Sequence, residues 1–454
     1  MGFVSLYTAY SGLNAAQAGM DTASHNVANA ANPGYSRQQV TLATRMPFSR
    51  PFGVIGTGVD VTDISRIRSV LLDQQYRSSA DNAGRLSTLT NLLSTLEGVT
   101  GEPDHGITTA LTDLWGAFED LALDPPDPAS RLNVLDSLDA LATRIQATAE
   151  GWDATTASAS TSLASKVDEV NAVLARVASL NSQIMDNGLK GGPNDLLDAR
   201  DELLDRLSNM AGVSVHMTDG SGARVSIGGI ALVEGATMHA LTYDLGTYEV
   251  TTDTGTPVTP GGEIAGFRAF LTDEVPALRG ALDGFTSDLA AALNTQHAAG
   301  FTPAGAAGGP LLSFSAGAEA LTISVAVTSI DDLAASGTAG PPVPLFDATN
   351  VNALAGLRDA LVASGASITL DAAARGLVTN LASSTQAAAT GADSNTALMS
   401  SARQAKLSVS GVNLDEEMVN LMHYQRTYEA SARVMTAVDQ MLDTLINGTG
   451  IAGR

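Results

Sequence analysis

The 454-residue chain has no cysteine. That excludes a disulfide framework, a thiolate metal site and a cysteine nucleophile. Aromatic residues make up only 4% of it, with two Trp, too few for one large aromatic core. Its wealth of Ala, Gly, Ser and Thr suits long helices packed closely through small side chains. No apolar run approaches the roughly 18 residues of a membrane span, so membrane insertion is not expected. The opening Met1-Gly-Phe-Val-Ser-Leu-Tyr7 has neither the basic n-region nor the apolar h-region of a secretory signal peptide. Basic residues are also scarce, 24 against 48 acidic ones, for a net charge of −24. Such a chain repels nucleic acid and anionic membranes. The six histidines are far apart and none stands at His-x-x-x-His spacing, so neither a metal centre nor any other cofactor is expected.

The charge is unevenly placed. Residues 1–72 hold five Arg and three Asp, and residues 403–454 hold five basic and six acidic residues. Subtraction leaves 14 basic and 39 acidic residues in 73–402, or −25. The ends are near neutral and the middle carries the repulsion, an arrangement suited to ends that pack against copies of themselves.

Both ends are amphipathic. Phe3, Leu6, Tyr10, Leu13, Gln17, Met20, Ser24 and Val27 alternate spacings of three and four, the seam of a coiled coil. Asn32-Pro33-Gly34 stops this helix and turns the chain, because proline disfavours helical geometry in the residue before it. At the other end Leu414, Met418, Leu421, Gln425, Tyr428, Ala432 and Met435 keep the same spacing, and Val438, Met441 and Leu445 follow after a register shift. Asn413 is placed to cap this helix, with Glu416 at its third position. Met418, Leu421, Tyr428, Met435 and Leu442 form a stripe that needs a partner.

Between the ends, residues 34–63 read as an extended arm with short strands. Helix is expected from about Ile64 to Leu96 and over Leu111, Leu114, Trp115 and Phe118. A very long helix should start at Asp127-Pro128. Its later half carries Leu163, Val167, Val170, Leu174, Val177, Asn181 and Ile184 at four-three spacing. A turn at 190–193 and a helix over 196–207 follow. Val213-Ser-Val-His-Met and Ala223-Arg-Val-Ser-Ile flank a hairpin turn at 219–222, with further strands at 241–251. A helix over 264–297, a short β segment near 321–327 and helix from Val351 complete the chain. Asp198, Arg200, Asp201 and Asp205 read as a solvated helix face. Asp415, Glu416 and Glu417 read as negative charge favouring a helix N-terminus, not as an acid–base pair. The predicted class is α+β, mainly helical, elongated and multidomain, with the termini together. Divisions are expected at 1–63, 64–210, 211–262, 263–300, 301–350, 351–409 and 410–454, with β-rich material at 211–262 and 301–350.

Asn26-Val-Ala-Asn-Ala-Ala-Asn-Pro-Gly-Tyr-Ser-Arg-Gln38 resembles the N-terminal signature of the bacterial flagellar rod, hook and hook-associated axial proteins. Ser410-Gly-Val-Asn-Leu-Asp-Glu-Glu-Met-Val-Asn-Leu421, followed by Tyr424-Gln-Arg-Thr-Tyr428, resembles the matching C-terminal one. Leu196-Leu-Asp-Ala-Arg-Asp-Glu-Leu-Leu204, Gly261-Gly-Glu-Ile-Ala-Gly-Phe267 and Asn294-Thr-Gln-His-Ala-Ala-Gly300 stand in family order between them. The Pro33-Gly34-Tyr35-Ser36-Arg37-Gln38 ending is most similar to the members at the hook–filament junction.

The resemblance implies a structural protein, not an enzyme, exported through the flagellar type III apparatus without a cleaved signal peptide and placed outside the cell. It implies a ring of about eleven copies above the hook protein and below the third hook-associated protein. It also implies a terminal-helix domain D0, a helical D1 and a mixed outer D2. The segment between Leu311 and Val351 is too short for the extra outer domain of longer relatives. The assembly interface is expected at Leu6, Tyr10, Leu13, Met20, Val27, Asn32, Pro33, Gly34, Tyr35, Leu414, Met418, Leu421, Tyr428, Met435 and Leu442. Competing readings are another axial protein of the flagellum, a secreted cell-wall hydrolase and an adhesin. A hydrolase would need a further domain, and nothing in 212–262 marks a binding pocket.

Overall fold

The computed structural model describes residues 2–51, 53–186, 193–217, 222–340 and 343–448. Positions 190–192 of the expected turn and 219–221 of the expected hairpin tip lie outside these.

The spine of the molecule is a helix of 59 residues (α4, Pro128–Asp186), about 88 Å long at 1.5 Å per residue. It begins where the Asp127-Pro128 signal places it. The backbone N–H and the hydroxyl of Ser130 donate to one Asp127 oxygen at 2.9 and 2.8 Å. Those bonds hold the Asp127 carboxyl below its ordinary range. Two earlier helices, α2 (Val70–Thr100) and α3 (Ile107–Leu123), pack beside the spine, with Trp115, Phe118 and Leu138 fully buried among them. All seven residues of the four-three seam from Leu163 to Ile184 are buried.

The β elements lie along the spine. After α5 (Asn194–Ala211), strands β5 (Val213–Met217), β6 (Ala223–Ile227), β7 (Ile230–Glu234) and β8 (Thr237–Met238) form an antiparallel sheet in sequence order. The expected hairpin pairs Val213 with Ile227 and Met217 with Ala223. Asn181 of α4 ties this sheet down: its amide donates to the carbonyls of Ala223 and Gly235 and accepts from the Ala223 N–H. A second small sheet, β9 (Leu241–Tyr243), β10 (Val250–Thr252) and β11 (Pro257–Val258), is tied to Asn171 of α4 through both backbone groups of Leu241.

The return path departs from the expected single helix over 264–297. It is α6 (Gly262–Ala269), one π turn at 270–274, and α7 (Val275–Ala298). Pro276 lacks the N–H that would bond back into the preceding turn, and the helix widens there. Among the described residues of 301–350 are a two-residue pair, β12 (Leu312–Ser313) with β13 (Ser324–Val325), the short helix α8 (Glu319–Thr322), a 3-10 turn at Ile330–Asp332 and isolated bridges from Phe301 to Ala307 and Ser336. Side-chain bonds hold much of the rest, so less of this stretch is strand than its sequence suggests. Helix α9 (Thr349–Ala355) and the 41-residue α10 (Leu370–Ser410) complete the body.

His297, from the Asn294-Thr-Gln-His motif, is fully buried with both ring nitrogens engaged. Nδ1 lies 2.6 Å from the Gly309 carbonyl, and Nε2 accepts the Ala334 N–H at 2.8 Å. That pattern requires the neutral ring. Burial lowers its pKa, against a smaller opposing effect of the Gly309 bond. In the window between the folded pKa and the unfolded value of about 6.5, the unfolded chain binds more protons. The body should therefore lose stability as pH falls below about 6.5, and His297→Gln should flatten that slope. Urea unfolding at several pH values checks this; an unchanged slope would contradict it.

One continuous apolar cluster runs from Leu89 on α2 through α4 and the small sheets to Ala388 on α10. It includes no residue of the first or last helix. Those two, α1 (Gly2–Asn29) and α11 (Leu414–Asp443), pack on each other instead. An arm of β1 (Gln38–Thr44), β2 (Phe48–Arg50), β3 (Gly53–Ile55) and β4 (Val59–Arg66) emerges beside them. Ile64 to Arg66 pair with Val40 to Gln38 and so belong to β4, not to the helix expected from Ile64; that helix starts at Val70.

Candidate functional site

The terminal pair is an antiparallel coiled coil built on small residues. A Cβ added to Gly12 would lie 2.9 Å from the Ser431 Oγ, and one added to Gly19 would lie 2.5 Å from the Tyr424 ring. Asn26 donates to Glu417 at 3.1 Å. Each pair steps forward seven residues on α1 and back seven on α11, one heptad per step. Ala9, Ala16 and Ala23 are buried along the same helix.

The contacting stripe thus runs one position before Leu13, Met20 and Val27. Leu6, Leu13, Met20, Val27, Leu421, Met435 and Leu442 are half-buried beside it. Tyr10, Leu414, Met418 and Tyr428 are exposed, at 53, 51, 50 and 36%. Asn32 and Pro33 are exposed at the turn, Gly34 is half-buried and Tyr35 is buried. The closest approaches fall on small residues of α1, while Tyr10, Leu414, Met418 and Tyr428 stay accessible.

The joint to the body is polar, and it unites the two signatures. The Arg37 N–H donates to the Ser410 carbonyl at 2.8 Å. The Arg37 guanidinium pairs with Glu417 at 2.7 Å and Glu416 at 2.9 Å. Asn26 uses all four of its bonding positions. Its oxygen accepts from the Tyr35 hydroxyl and the Gln38 N–H, and its NH2 donates to the Gln38 carbonyl and to Glu417. Burial, then the charges of Asp195, Asp198 and Glu417, hold the Tyr35 phenol well above its usual range. Asn413 caps α11 as expected, accepting from the N–H groups of Asp415 and Glu416. Glu417, however, is 2% exposed and serves as a latch rather than as surface charge near a helix end.

On its other side the same segment grips α5. Ser36 donates through its N–H and hydroxyl to both oxygens of Asp198, at 2.9 and 2.7 Å. Arg66 bridges Asp198 and Asp201 at 2.7 and 2.8 Å, Arg68 pairs with Asp201 and Asp73, and Arg77 with Asp205 and Asp201. Lys406 of α10 joins Asp205 at 2.6 Å and Asp73 at 3.2 Å. The expectation of a solvated face on α5 is therefore corrected: Asp198, Arg200 and Asp201 are 6, 2 and 4% exposed. Burial disfavours the Asp201 charge, but Arg68, Arg66 and Arg77 together hold its pKa below the ordinary range. The arm's arginines come to α5 from far away in sequence, which the helix pattern does not reveal. The three-residue step between Asp198 and Asp201 does place them on one face. For the coiled coil, the heptad-spaced Gly12 and Gly19 were the available signal.

The arrangement holds parts together. Its carboxylates are spoken for by guanidinium and ammonium groups, and no cluster of three or more metal-ligating side chains occurs among the described residues. No helix among them is long and apolar enough to cross a membrane.

Residues 93–312 match the flagellar hook-associated protein FlgK helical domain. Residues 403–448 match the flagellar basal body rod FlgEFG protein C-terminal region, and residues 6–35 match the flagella basal body rod protein family. The last two matches fall on the coiled coil and its joint. The chain is 29% identical to flagellar hook-associated protein 1 of Bacillus subtilis, over all of this chain and 99% of that one. It is 24% identical to the Escherichia coli protein of the same name, over 97% and 98%. The solved flagellar hook junction protein FlgK of Burkholderia pseudomallei shares the fold, with a TM-score of 0.66 at 17% identity over 74% of this chain and all of that one. Over its full length the chain is thus similar to flagellar hook-associated proteins of the FlgK, or hook-associated protein 1, type.

Proposed function

We infer that the chain is a structural subunit of the bacterial flagellum, forming the junction layer between hook and filament on which filament assembly depends. The observation that carries this reading is the terminal coiled coil. Its small residues close the pair while Tyr10, Leu414, Met418 and Tyr428 stay on the outside. An apolar surface of that kind is covered in use. In the ring it is covered by neighbouring copies, about eleven in all, with the hook protein on one side and the third hook-associated protein on the other. The subunit works outside the cell after export by the flagellar type III apparatus. Before export, a chaperone covers the Met418, Leu421, Tyr428, Met435 and Leu442 stripe of α11. In this reading residues 1–63 and 410–454 make D0, the helical segments make D1, and 211–262 with 301–350 make D2.

Deleting the gene from its own bacterium tests the reading. Electron microscopy should show hooks without filaments, with flagellin lost to the medium. Cells that keep full filaments would refute it.

A further inference from the structure

Residues 344–347 form a tight turn far from the terminal coiled coil. The turn is closed by the Asp347 N–H on the Pro344 carbonyl at 3.2 Å. Leu345 and Phe346 occupy its tip, 67 and 76% exposed. Behind the tip the Asp347 carboxylate accepts from the Ser336 and Thr338 hydroxyls, the Gly337 N–H, and both the N–H and hydroxyl of Thr349. The turn is therefore held in shape before anything touches it, and binding need not order it.

Beside the tip lies a cavity of about 170 Å³, lined by Pro126, Phe301, Pro303, Val343 and Pro344 among others. Among the described residues its one lining cation, Arg131, is 6% exposed and already committed to the carbonyls of Pro125, Ile330 and Leu333. The accessible charge around it is negative. Asp331 lines the cavity, Asp332 follows it, and Asp124 and Asp127 flank the Pro125-Pro126 wall. The cavity sits at the N-terminal end of α4, whereas α5, which grips the arm, follows the other end of that 59-residue helix.

We propose that Leu345 and Phe346 form a preorganised anchor for a different protein, one that offers an apolar socket ringed by Lys and Arg. Charge decides between a second copy and a foreign partner. The body of this chain, residues 73–402, carries −25, so another copy would bring carboxylates to an acidic rim. A basic-rimmed partner instead gains both apolar burial and steering. The surface is independent of the terminal coiled coil, so its failure leaves the junction reading untouched.

The test places the photo-crosslinker p-benzoylphenylalanine at position 346 of the full chain and irradiates intact flagella of the native bacterium. Mass spectrometry then locates the attachment, with a crosslinker at exposed Leu398 as the control. The expected product joins position 346 to another polypeptide, within a few residues of Lys or Arg. Its yield should fall several-fold in Asp124→Lys/Asp332→Lys, whose melting temperature should match the parent's because both side chains are exposed. A product with another copy of this chain, no product at all, or a yield unmoved by charge reversal would each overturn the proposal.

Discussion

Asp201→Ala is expected to destabilise the folded chain by about 3–5 kcal/mol at neutral pH, because removing one partner of a buried ion network leaves its other charges unpaired. Arg66, Arg68 and Arg77 all lie on this carboxylate, itself 4% exposed. Asp198, Asp73 and Asp205 retain part of the hold on those arginines, which keeps the loss within that range. The pH dependence has a definite sign. A carboxyl whose folded pKa is depressed stabilises fully above its unfolded pKa of about 3.9 and loses that contribution as pH falls through the folded value. The difference between parent and variant should therefore be largest near pH 7 and shrink in acid below pH 4. Urea unfolding measures it, and a loss below about 1 kcal/mol at pH 7 would show that the network does not hold the joint.

Gly19→Leu should abolish filament assembly while leaving the body folded. The first added carbon would lie 2.5 Å from two atoms of the Tyr424 ring, well inside van der Waals contact, so the ring must leave or the helices must part. Because the main apolar cluster contains no residue of α1, the melting of the body should not move. Gly284→Ala supplies the control: a Cβ there meets nothing within 4 Å. In a helix that change should add up to about 1 kcal/mol. Complementation of a deletion strain, read by electron microscopy, separates the two variants. Normal filaments with Gly19→Leu would mean that α1 and α11 do not pair in the assembled state.

The sequence made the helices legible because their apolar spacing is long and regular. The seam from Leu163 to Ile184 is buried at every position, and Asp127-Pro128 starts α4 where its capping chemistry requires. In the terminal helix the closest contact with α11 falls on small residues beside the stripe of large ones. Leu13 and Met20 mark a hydrophobic stripe, but close helix packing selects the smallest residues, and Gly12, Gly19 and Ala16 define it here. The joint was half legible. Both signature segments were recognisable, but Arg37 finds Glu417 across 380 residues, a pairing that no local periodicity encodes. Asp198 and Asp201 were misjudged for the same reason: their partners, Arg66 and Arg68, come from the end of the arm. Residues 301–350 misled in the other direction, since side-chain bonds such as those of Asp347 can fix a loop without strand pairing.

The most direct test of the central claim, that the terminal coiled coil is the part that assembles, is flagellin release by a deletion strain carrying Leu13→Asp. Leu13 is half-buried on the flank of α1, outside the main apolar cluster. A carboxylate there stays hydrated in the free subunit, whereas between packed copies it would be buried without a partner, at a cost repeated in every subunit. The account predicts an unchanged melting temperature for the purified variant, with hooks bare of filaments and flagellin in the medium at the level of the deletion itself. Filaments of normal length, with flagellin retained on the cells, would contradict it.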